Sequence, residues 1–221
     1  MVKIITSKQA VQFFNSGQTI MIGGFLTCGS PNMVIDELLK TDIGGFTLIA
    51  NDTSTSTTDR GKLVVAHKLK KALVSHIGTN PETVAQMNAG QLEVELVPQG
   101  TLAERVRAGG AGLGGILTPV GLNTDVAKNK RLINVDGKDF LLETPLTADV
   151  ALVYATYADK YGNLAFYGST RNFNAIMPLA AKTVIVEVDQ FSETPLNPNN
   201  IVVPGIFVDY LIIRGTDVAN G

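Results

Sequence analysis

Short apolar runs rich in Val and Ile alternate with stretches of helical period along this chain. The runs are TIMIG (19–23), FTLIA (46–50), ALVSHI (72–77), LEVELV (92–97), VALVYA (150–155) and TVIVEV (183–188). Runs that are apolar on both faces suit strands covered above and below, as in a parallel sheet between two layers of helices. Helix signals fall between the runs. Ser7 precedes the amphipathic AVQFF. Ser30-Pro31 reads as an N-cap followed by proline at the first helical position, and Asn80-Pro81-Glu82 repeats that grammar. Thr101 with Glu104 has capping-box spacing, and Gly109 stands where that helix should close. Up to about residue 110 the order is βαβ in style, which predicts an α/β fold: an open, mainly parallel sheet with right-handed crossovers and flanking helices. Beyond that point the pattern loosens. Asp136-Gly137 reads as a hairpin turn, 172–181 as one more helix and FVDYLII (207–213) as a late strand.

Ligands of such sheets bind outside the carboxyl ends of the strands, so the residues just past each run are the candidates for chemistry. After the first run comes Gly23-Gly24-Phe25-Leu26-Thr27-Cys28-Gly29, after the second Asn51-Asp52-Thr53, and after LEVELV comes Pro98-Gln99-Gly100-Thr101. In a parallel sheet all three lie on one edge. Glycines allow close approach to the backbone, and Asn51 and Gln99 are neutral amides able to donate to an oxygen that gains negative charge. The competing reading is a tight turn at the glycines and amides that only cap backbone.

Composition narrows the function classes. The chain has 221 residues, 45% of them hydrophobic, and no linker-like stretch, so one domain over 1–221 is expected. A net charge of −2 with dispersed lysines and arginines offers no basic stripe, which argues against a nucleic-acid partner. MVKIITSKQAVQFF lacks the apolar core of a signal peptide and no run is long enough to span a bilayer, so a cytoplasmic chain without a membrane partner is expected.

The remaining motifs carry little chemistry. Only His67 and His76 are present, His76 near a strand end reading as structural and His67 as a surface residue, and no ligand-spaced cluster points to a metal. Cys28, the only cysteine, reads as a small buried thiol rather than a nucleophile, and Lys68, Lys70 and Lys71 as a solvated face. Gly110, Gly112 and Gly115 within GGAGLGG match G-x-G-x-x-G, but a helix precedes them, so the dinucleotide motif is rejected in favour of a flexible loop over the active edge or a plain connector.

TIMIGGFLTCGSP resembles the signature of family I coenzyme A transferases, specifically the alpha subunit of 3-oxoacid or acetate/acetoacetate:butyrate transferases. LIANDT, SHIGTNPET, LEVELVPQGTLAERVRAGGAGLGG, LTADVAL, GNLAFYGSTRNFN and AAKTVIVEVDQF extend the likeness along the chain in order. The resemblance implies ping-pong transfer of CoA between an acyl-CoA and a short-chain carboxylic or 3-oxo acid. It implies CoA as substrate rather than a tightly bound cofactor, and a beta subunit, in an αβ or α2β2 assembly, that carries the catalytic glutamate. The nearest match to the glutamate motif here, Ser192-Glu193-Thr194, has the wrong neighbours. It further implies that Gln99 faces the reacting oxygen, that Asn51 orients the acid, and that Gly23, Gly24, Phe25, Leu26, Thr27, Cys28 and Gly29 contact CoA. Asp59-Arg60 in STSTTDRG (54–61) and Gly121-Leu122-Asn123-Thr124 depart from the family pattern. A non-catalytic sensor of a sugar phosphate or acyl-CoA is the alternative.

Overall fold

The computed structural model describes residues 1–215; the remainder of the expected 1–221 unit lies outside the described residues. In chain order the elements are β1 (Lys3–Ile4), α1 (Ser7–Ala10), β2 (Thr19–Ile22), α2 (Met33–Leu38), β3 (Phe46–Ile49), α3 (Gly61–Val65), β4 (Leu69–Val74), α4 (Pro81–Asn88), β5 (Glu93–Leu96) and α5 (Gln99–Gly110). Then follow β6 (Ile116–Thr118), β7 (Arg131–Val135), β8 (Lys138–Glu143), β9 (Ala148–Asp159), β10 (Leu164–Ala165), β11 (Ala181–Ser192) and β12 (Tyr210–Ile213). The main sheet runs β1-β12-β11-β9-β2-β3-β4-β5, with every neighbouring pair parallel, and β10 lies antiparallel on β9. A small antiparallel sheet, β6-β8-β7, is separate, and Asp136 and Gly137 turn its hairpin with positive φ at both positions.

Alternation along each strand feeds two cores. Met21, Ala151, Val153, Val184 and Val186 enter one cluster with Leu102, Val106 and Met177. Ile20, Ile22, Val150, Leu152 and Ile185 enter the other with Val34, Ile35, Leu38 and Leu63. Each fully buried Leu or Ile adds about 1.5–3 kcal/mol, so the apolar runs are strands because both faces must be covered.

Several boundaries differ from the sequence reading, each for a physical reason. Strand β4 begins at Leu69 because Lys71, polar but half-buried, bridges to Glu93 and Glu95 on β5. Lys68 is no solvated residue: it is buried and its Nζ donates to the carbonyls of Thr41 and Ile43. Asn80 caps α4 as expected, accepting from Glu82 N–H with Pro81 in the first turn. Ser30 caps nothing. Its hydroxyl donates to the Leu26 carbonyl, and α2 starts at Met33. Thr101 lies inside α5, which starts at Gln99, and Glu104 pairs with Arg107 rather than closing a capping box. Residues 168–180 form 3-10 turns instead of an α-helix, with Pro178 unable to donate and Asn174 turned inward.

The GGAGLGG segment is not a loop over the carboxyl edge. Helix α5 runs back across the sheet, so its last turn lies at the opposite edge, where a Cβ on Gly109 would stand 2.0 Å from the Leu146 carbonyl, just ahead of β9. Gly110 meets Leu179 in the same way, ahead of β11. Close packing of helix on backbone demands these glycines.

The cap of α2 comes from far away in sequence. Glu187 on β11 is fully buried, and its Oε1 accepts from Val34 N–H at 2.9 Å. Burial pushes this carboxyl up to about 7, against the backbone N–H groups of Val34, Met33 and Asn32 and the Arg214 guanidinium, which all favour the anion. A carboxyl raised above its ordinary 4.5 keeps its proton in the folded state and releases it on unfolding, so stability declines as pH rises from that value to about 7 and levels off above it. Urea midpoints of the wild type and Glu187→Gln should therefore diverge over that interval, the wild type losing ground as pH rises. A constant difference from pH 4.5 to 8 would place the proton elsewhere. Among the described residues no helix is long and apolar enough to cross a membrane.

Candidate active site

Four chain segments meet at the carboxyl edge of β2, β3, β4 and β5. Phe25, Leu26, Asn51, Asp52, Ser75, His76, Thr79 and Gln99 line a cavity of about 270 Å³ there. Adjacent parallel strands end in step: Ser75 N–H and its hydroxyl both donate to the Asn51 carbonyl, at 2.9 and 2.7 Å. Helix α5 begins directly after β5, with Gln99 as its first residue.

A chain of polar contacts runs inward from Gln99. Gln99 Nε2 donates to Asn51 Oδ1 at 2.7 Å, and Asn51 Nδ2 donates to Asp52 Oδ2 at 2.7 Å. Arg60 then closes on Asp52 at 2.5 Å, with both side chains sealed from solvent. The same guanidinium donates to the carbonyls of Asp52, Gly23 and Leu26. Burial raises the Asp52 carboxyl, but Arg60, Leu26 N–H, Asn51 and Ser54 N–H outweigh it and hold the group below the usual carboxylate range. Asp52 is thus an anion with its lone pairs occupied.

The glycine loop divides. Phe25 and Leu26 face the cavity, Leu26 with φ +48 and its N–H bound to Asp52. Phe25 and Cys28 pair through both backbone hydrogen bonds, which leaves Thr27 exposed at the tip of the turn. Cys28 Sγ lies 3.3 Å from Ser169 Oγ, and its carbonyl accepts from Asn172 Nδ2. Gly23, Gly24 and Gly29 are bare for an internal reason. A Cβ on Gly23 would stand 1.8 Å from Asn174 Oδ1, one on Gly24 2.7 Å from Ser30 Oγ, and one on Gly29 3.0 Å from Asn174 Nδ2. Asn174 occupies the vacated space, accepting from Tyr154 N–H and donating to Gly29 and Thr170 carbonyls. Gly23→Ala should displace it and cost about 1–3 kcal/mol as an overpacked site. A urea midpoint equal to wild type would show that the loop yields freely.

Sequence reasoning therefore found Phe25, Leu26, Asn51 and Gln99 on one cavity and missed Ser75, His76 and Thr79 beside them. The rule that singled out the other loops covers these residues too. ALVSHI reads as strand through 77 and so hides them, whereas β4 stops at Val74. His76, expected to be structural, is exposed at the mouth. The divergent Asp59-Arg60 is an internal clamp, and Gly121 to Thr124 turn between β6 and β7 without lining the cavity.

The family described as Coenzyme A transferase matches over residues 4–214. The chain belongs to that family. Membership sets the class of chemistry as coenzyme A transfer, which the composition of the cavity alone does not. Among this transferase's relatives, the acetate CoA-transferase subunit alpha of Escherichia coli (strain K12) is 48% identical over 212 residues, covering 96% of each chain. The acetoacetyl-CoA:acetate/butyrate CoA transferase alpha subunit of Clostridium acetobutylicum is 47% identical, covering 95% of this chain and 97% of that one. An acyl-CoA transferase from Escherichia coli O157:H7, solved as a thioester complex with CoA, superposes with a TM-score of 0.81 at 20% identity. The match covers 96% of this chain but 47% of that one, so this CoA-transferase chain spans about half the length of its structural neighbour. At that identity the likeness speaks for the fold.

Proposed function

We propose that this chain is the alpha subunit of a CoA-transferase that moves CoA between an acyl-CoA and a short-chain carboxylic or 3-oxo acid, with the attacking glutamate supplied by a beta subunit. The observation that carries this reading is a cavity with amide and hydroxyl groups but no free carboxylate: the one it holds, Asp52, is locked to Arg60. Cys28 lies off the cavity beside Ser169.

In this mechanism a carboxylate oxygen from the partner attacks the thioester carbonyl, the C–S bond breaks, CoA leaves as thiolate, and a mixed anhydride of the acid and the glutamate remains. The thiolate then attacks the glutamyl carbonyl, releasing the first acid and leaving a glutamyl-CoA thioester. A second acid reverses the sequence and departs with CoA. Each step passes through a tetrahedral oxyanion. Gln99 Nε2 spends one hydrogen on Asn51, and its second is the donor for that oxygen. Asn51, expected to orient the acid, is 2% exposed and stands behind Gln99, so it orients that amide instead. Phe25 and Leu26 form the wall beside the thioester. Relatives named for acetate, butyrate and acetoacetyl-CoA support acids of that size.

The purified chain should not move label between acetate and acetyl-CoA, and adding the beta subunit should start the exchange with ping-pong kinetics. Full-rate transfer by the isolated chain would place the nucleophile here instead. Tight CoA-ester binding without exchange in the complex would make it a sensor.

A further inference from the structure

Asp52 touches no bulk solvent and faces Arg60, yet its contacts run outward to the first residue of α5. We infer that Asp52 is a positioning residue for CoA transfer: it dictates the orientation of the Asn51 amide, and through it which edge of the Gln99 amide meets the reacting oxygen. The inference rests on the CoA-transfer reading.

Donor and acceptor chemistry forces this orientation. An ionised carboxylate only accepts hydrogen bonds. Asp52 Oδ2 already accepts from Leu26 N–H at 2.8 Å, and Oδ1 accepts from Ser54 N–H and Arg60. Asn51 must therefore present Nδ2 to Oδ2, which turns Asn51 Oδ1 toward Gln99 and the Ser75 hydroxyl, 3.3 Å away. An amide oxygen accepts in turn, so Gln99 must present Nε2, keeping a donor at the cavity. Arg60 keeps the first member of this chain charged, and the N–H of Leu26 fixes its position.

A neutral amide at position 52 breaks the logic. Asparagine there can keep its oxygen on Arg60 and Ser54 N–H, but then its nitrogen faces Leu26 N–H and Asn51 Nδ2, donor against donor. Asn51 has to flip, and Gln99 must offer Oε1 to the Nδ2 that replaces Oδ1, turning its nitrogen away from the reacting oxygen. Binding of the CoA ester needs none of this, so the effect belongs in kcat.

The test uses the complex with its beta subunit and compares wild type, Asp52→Asn, Gln99→Ala and the double variant, with folding checked by circular dichroism and size exclusion. Asp52→Asn should lower kcat roughly 10- to 100-fold, as a misplaced catalytic group does, with KM within about 2-fold. In the Gln99→Ala background the same change should add almost nothing, since residues acting through one group are not additive. Effects that multiply, or a KM that rises with kcat unchanged, would overturn the inference. If Asp52→Asn leaves Arg60 uncompensated and unfolds the chain, Asp52→Asn with Arg60→Gln removes both charges and carries the same comparison. Side-chain amide exchange followed by NMR in the wild type gives a reading that needs no variant at 52. One Gln99 Nε2 proton, identified by its absence in Gln99→Ala, should exchange more slowly than free glutamine amides, and two protons at the free rate would overturn the orientation. A wild-type complex that transfers no CoA would sink the functional reading and leave that amide measurement intact.

Discussion

Replacing Gln99 by alanine is expected to lower kcat of the assembled enzyme by roughly 10²–10³-fold, the usual cost of removing one oxyanion donor, with KM little changed. The reason for a kcat effect is timing. The carbonyl oxygen of a bound thioester is a weak acceptor, and the same oxygen in the tetrahedral intermediate carries a full charge, so the donor acts mainly in the transition state. Gln99 is exposed and begins a helix whose buried side is built from Leu102 and Val106, so truncation should leave the fold intact. Steady-state kinetics on the complex, with either CoA ester varied, decide the matter. An unchanged kcat removes Gln99 from the mechanism, and a pure KM effect reassigns it to ground-state binding.

The second large effect is on stability. Arg60→Ala should destabilise the chain by about 3–5 kcal/mol, because it leaves Asp52 as an unpaired buried charge. Both partners are inaccessible to solvent, so no screening discounts the figure. Three backbone carbonyls, of Gly23, Leu26 and Asp52, lose a donor with it. With a urea dependence of about 2 kcal/mol/M, the midpoint should fall by about 2 M. A fall of less than about 0.5 M on that scale would mean that water enters and solvates Asp52, and the clamp would lose its importance. Arg60→Lys should be a poor rescue: one ammonium lacks the planar fork that reaches the carboxylate and the carbonyls together.

These two residues also mark where the sequence could be read and where it could not. Gln99 is legible in the sequence because only Pro98 separates it from an apolar run, and ligands of a parallel sheet bind at the edge where such runs end. Arg60 sits in a Ser/Thr-rich stretch that reads only as a loop departing from the family pattern. Only the folded chain shows that residues 52–60 curl back so that the guanidinium lies beneath the loop after β2. Local capping signals fared in the same way. Asn80 could be recognised because its partner is two residues on, whereas α2 is capped by Glu187, 153 positions away.

The glycines teach a related lesson. Gly23, Gly24 and Gly29 read in the sequence as room for a ligand, and the fold gives them inward neighbours, Asn174 above all. Asn172 and Asn174 come from GNLAFYGSTRNFN, a segment with no periodicity of its own. They hold the 24–29 loop through Gly24 N–H, the Cys28 carbonyl and the Gly29 carbonyl.

What the sequence determined by itself was whatever depends on neighbours along the chain: the strands, from runs needing cover on both faces; the parallel order, from helices between them; and the edge that holds the cavity, from the residues that follow. The tertiary structure alone decided the contacts between residues distant in sequence: Arg60 under Asp52, Glu187 at the start of α2, Asn174 in the space left by Gly23. Periodicity reports which face of an element is buried. A buried charge or amide takes its partner from whatever segment the fold brings within hydrogen-bond reach, and that choice leaves no repeating mark in the chain.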